Sequence, residues 1–201
     1  MENNITQFLD QAIQKRRSFI RSPYNTAFRL CNGFQEGIHN IVIDIFAKTI
    51  IFHDYSNDDT LIETLVPTIK QFLPWINSGI IKKRRSKLQH EKSGTLIFGD
   101  AYDTQITEYN IHYALRLMMN QDASFYLDTR ELRKWLTDNM KDKTVLNTFA
   151  YTGSLGIAAL SGGASEVTQL DLNRQFLSLA QKSAKLNNLV IEDSHYQTAD
   201  F

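Results

Sequence analysis

A single cysteine, three prolines and nine glycines in 201 residues limit what this chain can be. Cys31 alone can close no intrachain disulfide and offers no cysteine set for zinc, a composition that suits a reducing compartment. The five histidines (His39, His53, His90, His112 and His195) show no metal-ligand spacing. No nucleophile elbow or Ser-His-Asp arrangement can be read from the order of residues. No run of about eighteen apolar residues occurs, so a membrane span is not expected. The first residues, MENNITQFLDQAIQKRRSF, lack the continuous apolar stretch of a signal peptide. The expected location is the cytoplasm. A surplus of one charge is also missing, since 22 Lys and Arg balance 22 Asp and Glu. Composition therefore gives no hint of a nucleic-acid partner, and any such hint has to come from where the charges lie.

What is present is core material: 42% of residues are hydrophobic, including twelve Phe and eight Tyr, enough for one large domain or two small ones. Residues 4–20 set Ile5, Phe8, Leu9, Ala12 and Ile13 at helical spacing, with Lys15, Arg16 and Arg17 at the end where cations suit the helix dipole. Ser22-Pro23 breaks that helix. FRLC, IVIDIF and TIIFHDY then read as three short strands. Asn57-Asp58-Asp59 can cap a helix with Leu61, Ile62, Leu65, Ile69, Phe72 and Leu73 on one face. Pro67 predicts a kink or an early end to it. Gly79-Ile80-Ile81, TLIFGD, TQITEY and IHYALRL are further strand candidates, and Glu108-Tyr109-Asn110 supplies the turn between the last two. Residues 128–140 read as a helix that buries Leu132, Trp135, Leu136 and Met140.

The pattern becomes regular after that. Strand 144–149, helix 154–160, strand 166–170, helix 174–186 and strand 195–199 alternate as β-α-β-α-β. This alternation is expected of a doubly wound parallel sheet. The fold class read here is α/β, with an α+β domain over residues 1–123 and the first half of a Rossmann-like sheet over residues 124–201. In such sheets a ligand sits beyond the C-terminal strand ends. Gly153 opens the first helix, where free N–H groups can hold a carboxylate. Asp171 and Asp200 close the second and third strands, suited to ribose hydroxyls and an adenine amino group. Spacing alone does not separate one nucleotide-like ligand from another, and a strand-Gly-helix turn also occurs for geometry only.

The run VLNTFAYTGSLGIAALSGGASEVTQLDLNRQFLSLAQKSAKLNNL resembles the first motif of class I S-adenosylmethionine (SAM) dependent methyltransferases. Within them it resembles the bacterial 23S rRNA cytosine-5 methyltransferase family, where Asn-x-Phe-x-Tyr-Thr-Gly replaces the usual acidic, Gly-rich turn. Asn147, Phe149, Tyr151, Thr152 and Gly153 match that pattern. FYLDTRELRKWL is similar to the family's segment against the cofactor pocket, which implies Phe125, Asp128 and Arg130. FRLCNGFQEGIHNIVIDIF is similar to the opening of the family's central domain, and ITEYNIHYAL to the hairpin before its methyltransferase domain. The resemblance implies SAM as cofactor, with Tyr151, Thr152 and Gly153 around its methionine part, Asp171 on ribose and Asp200 on adenine. It also implies an RNA substrate and methyl transfer to a base, with large-subunit rRNA the expected RNA.

Two family features are expected to be missing. The N-terminal PUA domain of well-known members is expected to be absent, and the target-base motif and any catalytic cysteine to lie beyond Phe201. Cytosine-5 methylation needs a thiolate, and Cys31 in its predicted strand reads as a small buried hydrophobe. The expectation is a truncated enzyme without its catalytic half. Three parallel strands also leave a sheet edge open, which a second copy of the chain could cover. Lys82, Lys83, Arg84, Arg85 and Lys87 form a run that is either a solvated loop or an RNA phosphate contact. A non-catalytic RNA-binding or dimerising remnant is the alternative function. A dinucleotide oxidoreductase is weaker, because Phe149 and Tyr151 stand where its glycines are needed.

Overall fold

A computed structural model describes residues 2–56, 60–190 and 192–200, without the side chains of residues 2–5. The expected cap at Asn57-Asp58-Asp59 and the burial of Ile5 therefore lie outside the described residues. The chain forms two compact units. One comprises Met1–Asp103 and Leu117–Asp122, the other Thr104–Arg116 and Ala123–Phe201. The sequence groups residues 104–116 with the first part of the chain, whereas the structure places them in the second unit.

The first unit is a five-stranded sheet in the order β1 (Ala27–Cys31), β2 (Ile41–Phe46), β3 (Thr49–Asp54), β4 (Ser78–Lys83), β5 (Thr95–Phe98). Neighbours run antiparallel except β3 and β4, which are parallel and need a crossover. Helix α2 (Thr60–Phe72) supplies it. Pro67 sits inside α2 and does not end it. Helix α1 (Glu2–Lys15) is shorter than expected, and turns replace its last residues. Leu9 of α1, Ile62, Leu65 and Ile69 of α2, and Leu30, Ile43, Ile45, Ile50 and Phe52 of the strands form one core. A short helix, α3 (Gln89–Ser93), has too few residues to leave a periodic signal in the sequence.

The second unit opens with a hairpin, β6 (Gln105–Glu108) and β7 (Ile111–Ala114). Tyr109 and Asn110, the two loop residues, both have positive φ, 52° and 63°, as a tight hairpin turn of matching twist requires. Helix α4 (Arg130–Asn139) follows, then β8 (Thr144–Thr148), α5 (Ser154–Ser161), β9 (Glu166–Asp171), α6 (Arg174–Leu186) and β10 (Tyr196–Thr198). The three strands are parallel in the order β10-β9-β8. This is the expected alternation. Side chains of α6 cover part of the hairpin backbone. Ser183 Oγ accepts from the Ala114 N–H at 2.9 Å, and Asn187 bonds both the N–H and the carbonyl of His112.

Helix α4 departs from the expected face. Leu132 and Trp135 are 45% and 52% exposed, while Arg133, Leu136 and Met140 turn inward. The cause is an ion pair that an apolar periodicity does not reveal. Arg133 is fully buried and forks onto Glu108 of the hairpin at 2.6 and 3.1 Å. Its remaining N–H groups reach the Tyr126 carbonyl at 2.8 Å and the Thr129 hydroxyl at 2.6 Å. The guanidinium also lies 4.1 Å from the Phe125 ring centroid. A buried charge persists only when paired and hydrogen-bonded in this way.

Candidate functional site

The parallel register brings the ends of β8, β9 and β10 to one edge of the sheet, since Thr148 pairs with Leu170 and Thr198 with Asp171. The turn from β8 into α5 lies there. Phe149, Tyr151 and Gly153 all take positive φ, 52°, 52° and 74°. Only glycine adopts such values without steric cost, so two large aromatic residues are held in an unfavourable conformation. What holds Tyr151 is visible. The Tyr151 N–H donates to Asp171 Oδ2 at 2.8 Å, and Asp171 Oδ1 accepts from the Asn173 N–H at 2.8 Å. The Thr152 hydroxyl donates to the Ser124 carbonyl at 2.7 Å. The Tyr151 ring packs on Tyr126 at 5.0 Å and edge-on to Phe176 at 4.6 Å.

Gly153 has a reason to be glycine besides its φ. A Cβ there would fall 2.3 Å from the Ala180 Cβ and 2.7 Å from Gln169 Oε1. At Gly156 a Cβ would meet Gln169 Cδ at 2.6 Å. Gln169, on the middle strand, is fully buried beneath α5, and its Oε1 accepts from Asn147 Nδ2 at 3.0 Å. Both glycines thus make room for a buried amide. Gln169 had no signal in the sequence, because one polar residue in a buried strand breaks no period. Tyr126 and Arg133 were missed similarly.

The sequence-derived residues fall into separate places. Asn147, Phe149, Tyr151, Thr152, Gly153 and Asp171 come together at the strand ends. Asp200 lies two residues past the Thr198–Asp171 pair and is exposed. Phe149 is 74% exposed. Phe125 is instead a core residue between Arg133 and the Tyr113 ring, 5.1 Å away. Arg130 pairs with Glu108 at 3.1 Å, and Asp128 faces solvent.

The basic run divides in the same way. Lys82 is fully buried, and its ammonium donates to the Asn120 and Asp122 carbonyls at 2.7 and 2.9 Å. Burial, with the Arg84 charge adding to it, pulls its pKa down to about 7. Arg84 donates to the Gln121 carbonyl and lies 3.9 Å from Asp122. These two cations fasten the segment Leu117–Asp122 to the first unit and, as placed, do not reach out to phosphate. Only Arg85 and Lys87 of the run are exposed, with Lys83 half-buried. Arginine and lysine at alternate positions read as surface from composition alone. They go inside here because carbonyls of a returning segment meet them.

An Asp171 carboxylate with one backbone N–H on each oxygen has further lone pairs to which a pair of neighbouring hydroxyls can donate. That acceptor pair, beside a turn whose backbone is fixed from below, suits a nucleoside. Comparison with known proteins identifies the family. The model of the S-adenosylmethionine-dependent methyltransferase family matches residues 66–196. Ribosomal RNA large subunit methyltransferase I of Pseudoalteromonas atlantica is 31% identical over 185 residues, 89% of this chain and 46% of that protein. The protein of the same description from Aeromonas salmonicida is 27% identical over 194 residues, 94% of this chain and 49% of its own length. The crystal structure of SMU.776 complexed with SAH has a TM-score of 0.84 at 26% identity, over 94% of this chain and 50% of that one. The chain spans about half the length of the curated relatives it matches. With a match over most of its residues and a Rossmann-like sheet to carry it, the chain belongs to the S-adenosylmethionine-dependent methyltransferase family.

Proposed function

We propose that the chain takes part in methyl transfer from SAM to a base of large-subunit rRNA, in the cytoplasm. The observation that carries this is the Asp171 carboxylate, fixed by the Tyr151 and Asn173 N–H groups at the end of β9. SAM, when bound, supplies a methyl group made electrophilic by its sulfonium sulfur. This chain's residues hold it. Asp171 takes the ribose hydroxyls, the turn Tyr151-Thr152-Gly153 and Asn147 surround the methionine part, and Asp200 meets adenine. Phe149 borders the site, Asp128 faces it from the solvent side, and Phe125 and Arg130 support it from the Glu108 cluster. The RNA substrate is assigned from the relatives, whose names specify large-subunit rRNA. The first unit, with Lys83, Arg85 and Lys87, would meet it.

Transfer to cytosine C5 requires a thiolate at C6. Cys31 is the only thiol in the sequence. Burial pushes its pKa up to about 11, and its Sγ donates to Glu36 Oε2 at 3.7 Å. We therefore assign the attack on the base to groups outside these 201 residues. The same observation favours the second reading, an RNA-binding or dimerising protein that retains the cofactor half-site. In that case a second copy would cover the open edge of β8, where Leu146 is 64% exposed.

Calorimetric titration of SAM into the chain should show one site. Asp171→Ala should abolish the heat, while Asp171→Asn, with one acceptor oxygen left, should keep a weaker one. Full affinity in Asp171→Ala would overturn the ribose assignment. Transfer of tritium from labelled SAM to large-subunit rRNA, assayed with a version of the chain extended through further strands of the sheet, separates the two readings, since the second expects none.

A further inference from the structure

The strand register of the first unit brings three connections to one end of its sheet. Cys31 ends β1, Ile41 begins β2 opposite Asp54 of β3, and Asp54 stands beside Lys83 of β4. The loop 32–40, the exit of β3 at Tyr55 and the basic exit of β4 are therefore neighbours. Two backbone bonds tie them together. The Tyr55 N–H donates to the Asn40 carbonyl at 2.8 Å, and the Arg84 N–H to the Asp54 carbonyl at 2.7 Å.

That end carries aromatic rings the core does not use. Phe34 is 82% exposed, and its ring lies 5.7 Å from the exposed His39 ring. Tyr55 is 36% exposed, with the Arg84 guanidinium 5.8 Å from its ring centroid. Arg85 and Lys87 follow at the surface. Two strand spacings, about 10 Å, separate the start of β2 from the exit of β4.

Phe34 is not on a slack loop. The Glu36 carboxylate turns inward and is buried, accepting from Arg16 at 2.7 Å, from the Asn32 N–H at 2.8 Å and from the Cys31 thiol. Gly33 at φ 70° lets the chain turn so tightly that a Cβ would fall 2.1 Å from the Ile41 carbonyl oxygen. With Glu36 drawn in, Phe34 is turned out. Exposing a large ring on a braced turn forgoes the free energy of burying it and leaves its face available to a partner.

We propose that this end of the sheet is a stacking platform for unpaired RNA bases, with Phe34 as the stacking side chain and Arg85 and Lys87 as the adjoining phosphate contacts. Aromatic faces interleaved with cations are the arrangement that binds single strands with little sequence preference. The proposal rests on the RNA reading above and names the surface that serves it. Phe34 and Tyr55 belong to the first unit, whereas the residues assigned to SAM belong to the second.

The test measures fluorescence anisotropy of a labelled short oligoadenylate, and of a duplex RNA of equal length, with the full chain. Phe34→Ala should weaken single-strand binding by about 5- to 150-fold, and Phe34→Trp should restore it. The salt dependence should stay as in the wild type for Phe34→Ala. In Arg85→Ala/Lys87→Ala it should flatten by about 0.7 in log-log slope for each phosphate no longer neutralised. Wild-type affinity in Phe34→Ala, with RNA still bound, overturns the platform and leaves the RNA reading standing. Failure of the wild type to bind either RNA overturns both. Self-association abolished in Phe34→Ala while its RNA binding is unchanged makes the ring an interface between copies and overturns the proposal.

Discussion

Replacing Lys82 by Met should make the stability of the first unit independent of pH in a range where the wild-type protein is strongly dependent on it. The Lys82 ammonium is fully buried and titrates at about 7 in the folded chain, against 10.5 for the ordinary side chain. Between those values the unfolded chain holds a proton that the folded chain has released. Folded-state stability is thus fully present above the unfolded value and is lost as pH falls toward 7. Going from about pH 9 to pH 7 should cost about 2 kcal/mol. That range isolates Lys82. Cys31, raised from 9.0 to about 11, enters only toward pH 9 and there lowers stability as pH rises, opposite in sign to Lys82, and Asp44, held low by His53 and Arg29 against the effect of burial, acts in acid. Trp75, stacked on Tyr24 at 4.4 Å, reports on the first unit, and Trp135→Phe removes the exposed second tryptophan. In urea the wild-type midpoint should fall by roughly 1 M over that pH range. Lys82→Met should show no trend. An equal slope in both proteins, or a flat wild type, refutes the assignment.

Two further predictions concern the second unit. Arg133→Met leaves Glu108 buried without its main partner and should destabilise by about 3–5 kcal/mol; adding Glu108→Met should recover much of that in thermal unfolding, and no recovery would deny the coupling. Gly153→Ala meets both a positive φ and a 2.3 Å approach to Ala180. It should lower the melting temperature and weaken SAM binding together, and normal binding by a melted-down variant would show that the turn does not shape the site.

The β-α-β-α-β segment was legible because each of its parts obeys a local rule. Apolar strands alternate with amphipathic helices, Gly162-Gly163 ends α5, and Asn173 caps α6 by accepting from the Gln175 N–H at 2.9 Å. The hairpin at Tyr109-Asn110 was legible from its turn. Errors arose where polar groups do the packing. Arg133 on α4, Lys82 on β4 and Gln169 on β9 are each buried side chains whose partners are distant in sequence: Glu108, the Asn120–Asp122 carbonyls and Asn147. Such partners leave no trace in periodicity, so the sequence reading placed Trp135 inside and Lys82 outside.

Partners distant in sequence also shape the turn after β8. Asp171 and the turn Phe149–Gly153 are local in sequence and match a known pattern. The positive φ of Tyr151 is sustained by groups on other elements, namely the Asp171 carboxylate, the Ser124 carbonyl that takes the neighbouring Thr152 hydroxyl, and Tyr126 against the Tyr151 ring. Ser124 is itself at φ 57°, with its hydroxyl oxygen accepting the Arg116 N–H at 2.8 Å. Tyr151 and Ser124 are therefore each held by a hydrogen bond to a neighbour, and strain of this kind persists only when over-determined. A turn bound to Asp171 by one hydrogen bond cannot shift without moving the carboxylate that would hold the ribose. The residues that resemble a cofactor motif are then one mechanical unit, and a substitution at Tyr126 or Ser124, outside the motif, should disturb the site as much as one within it.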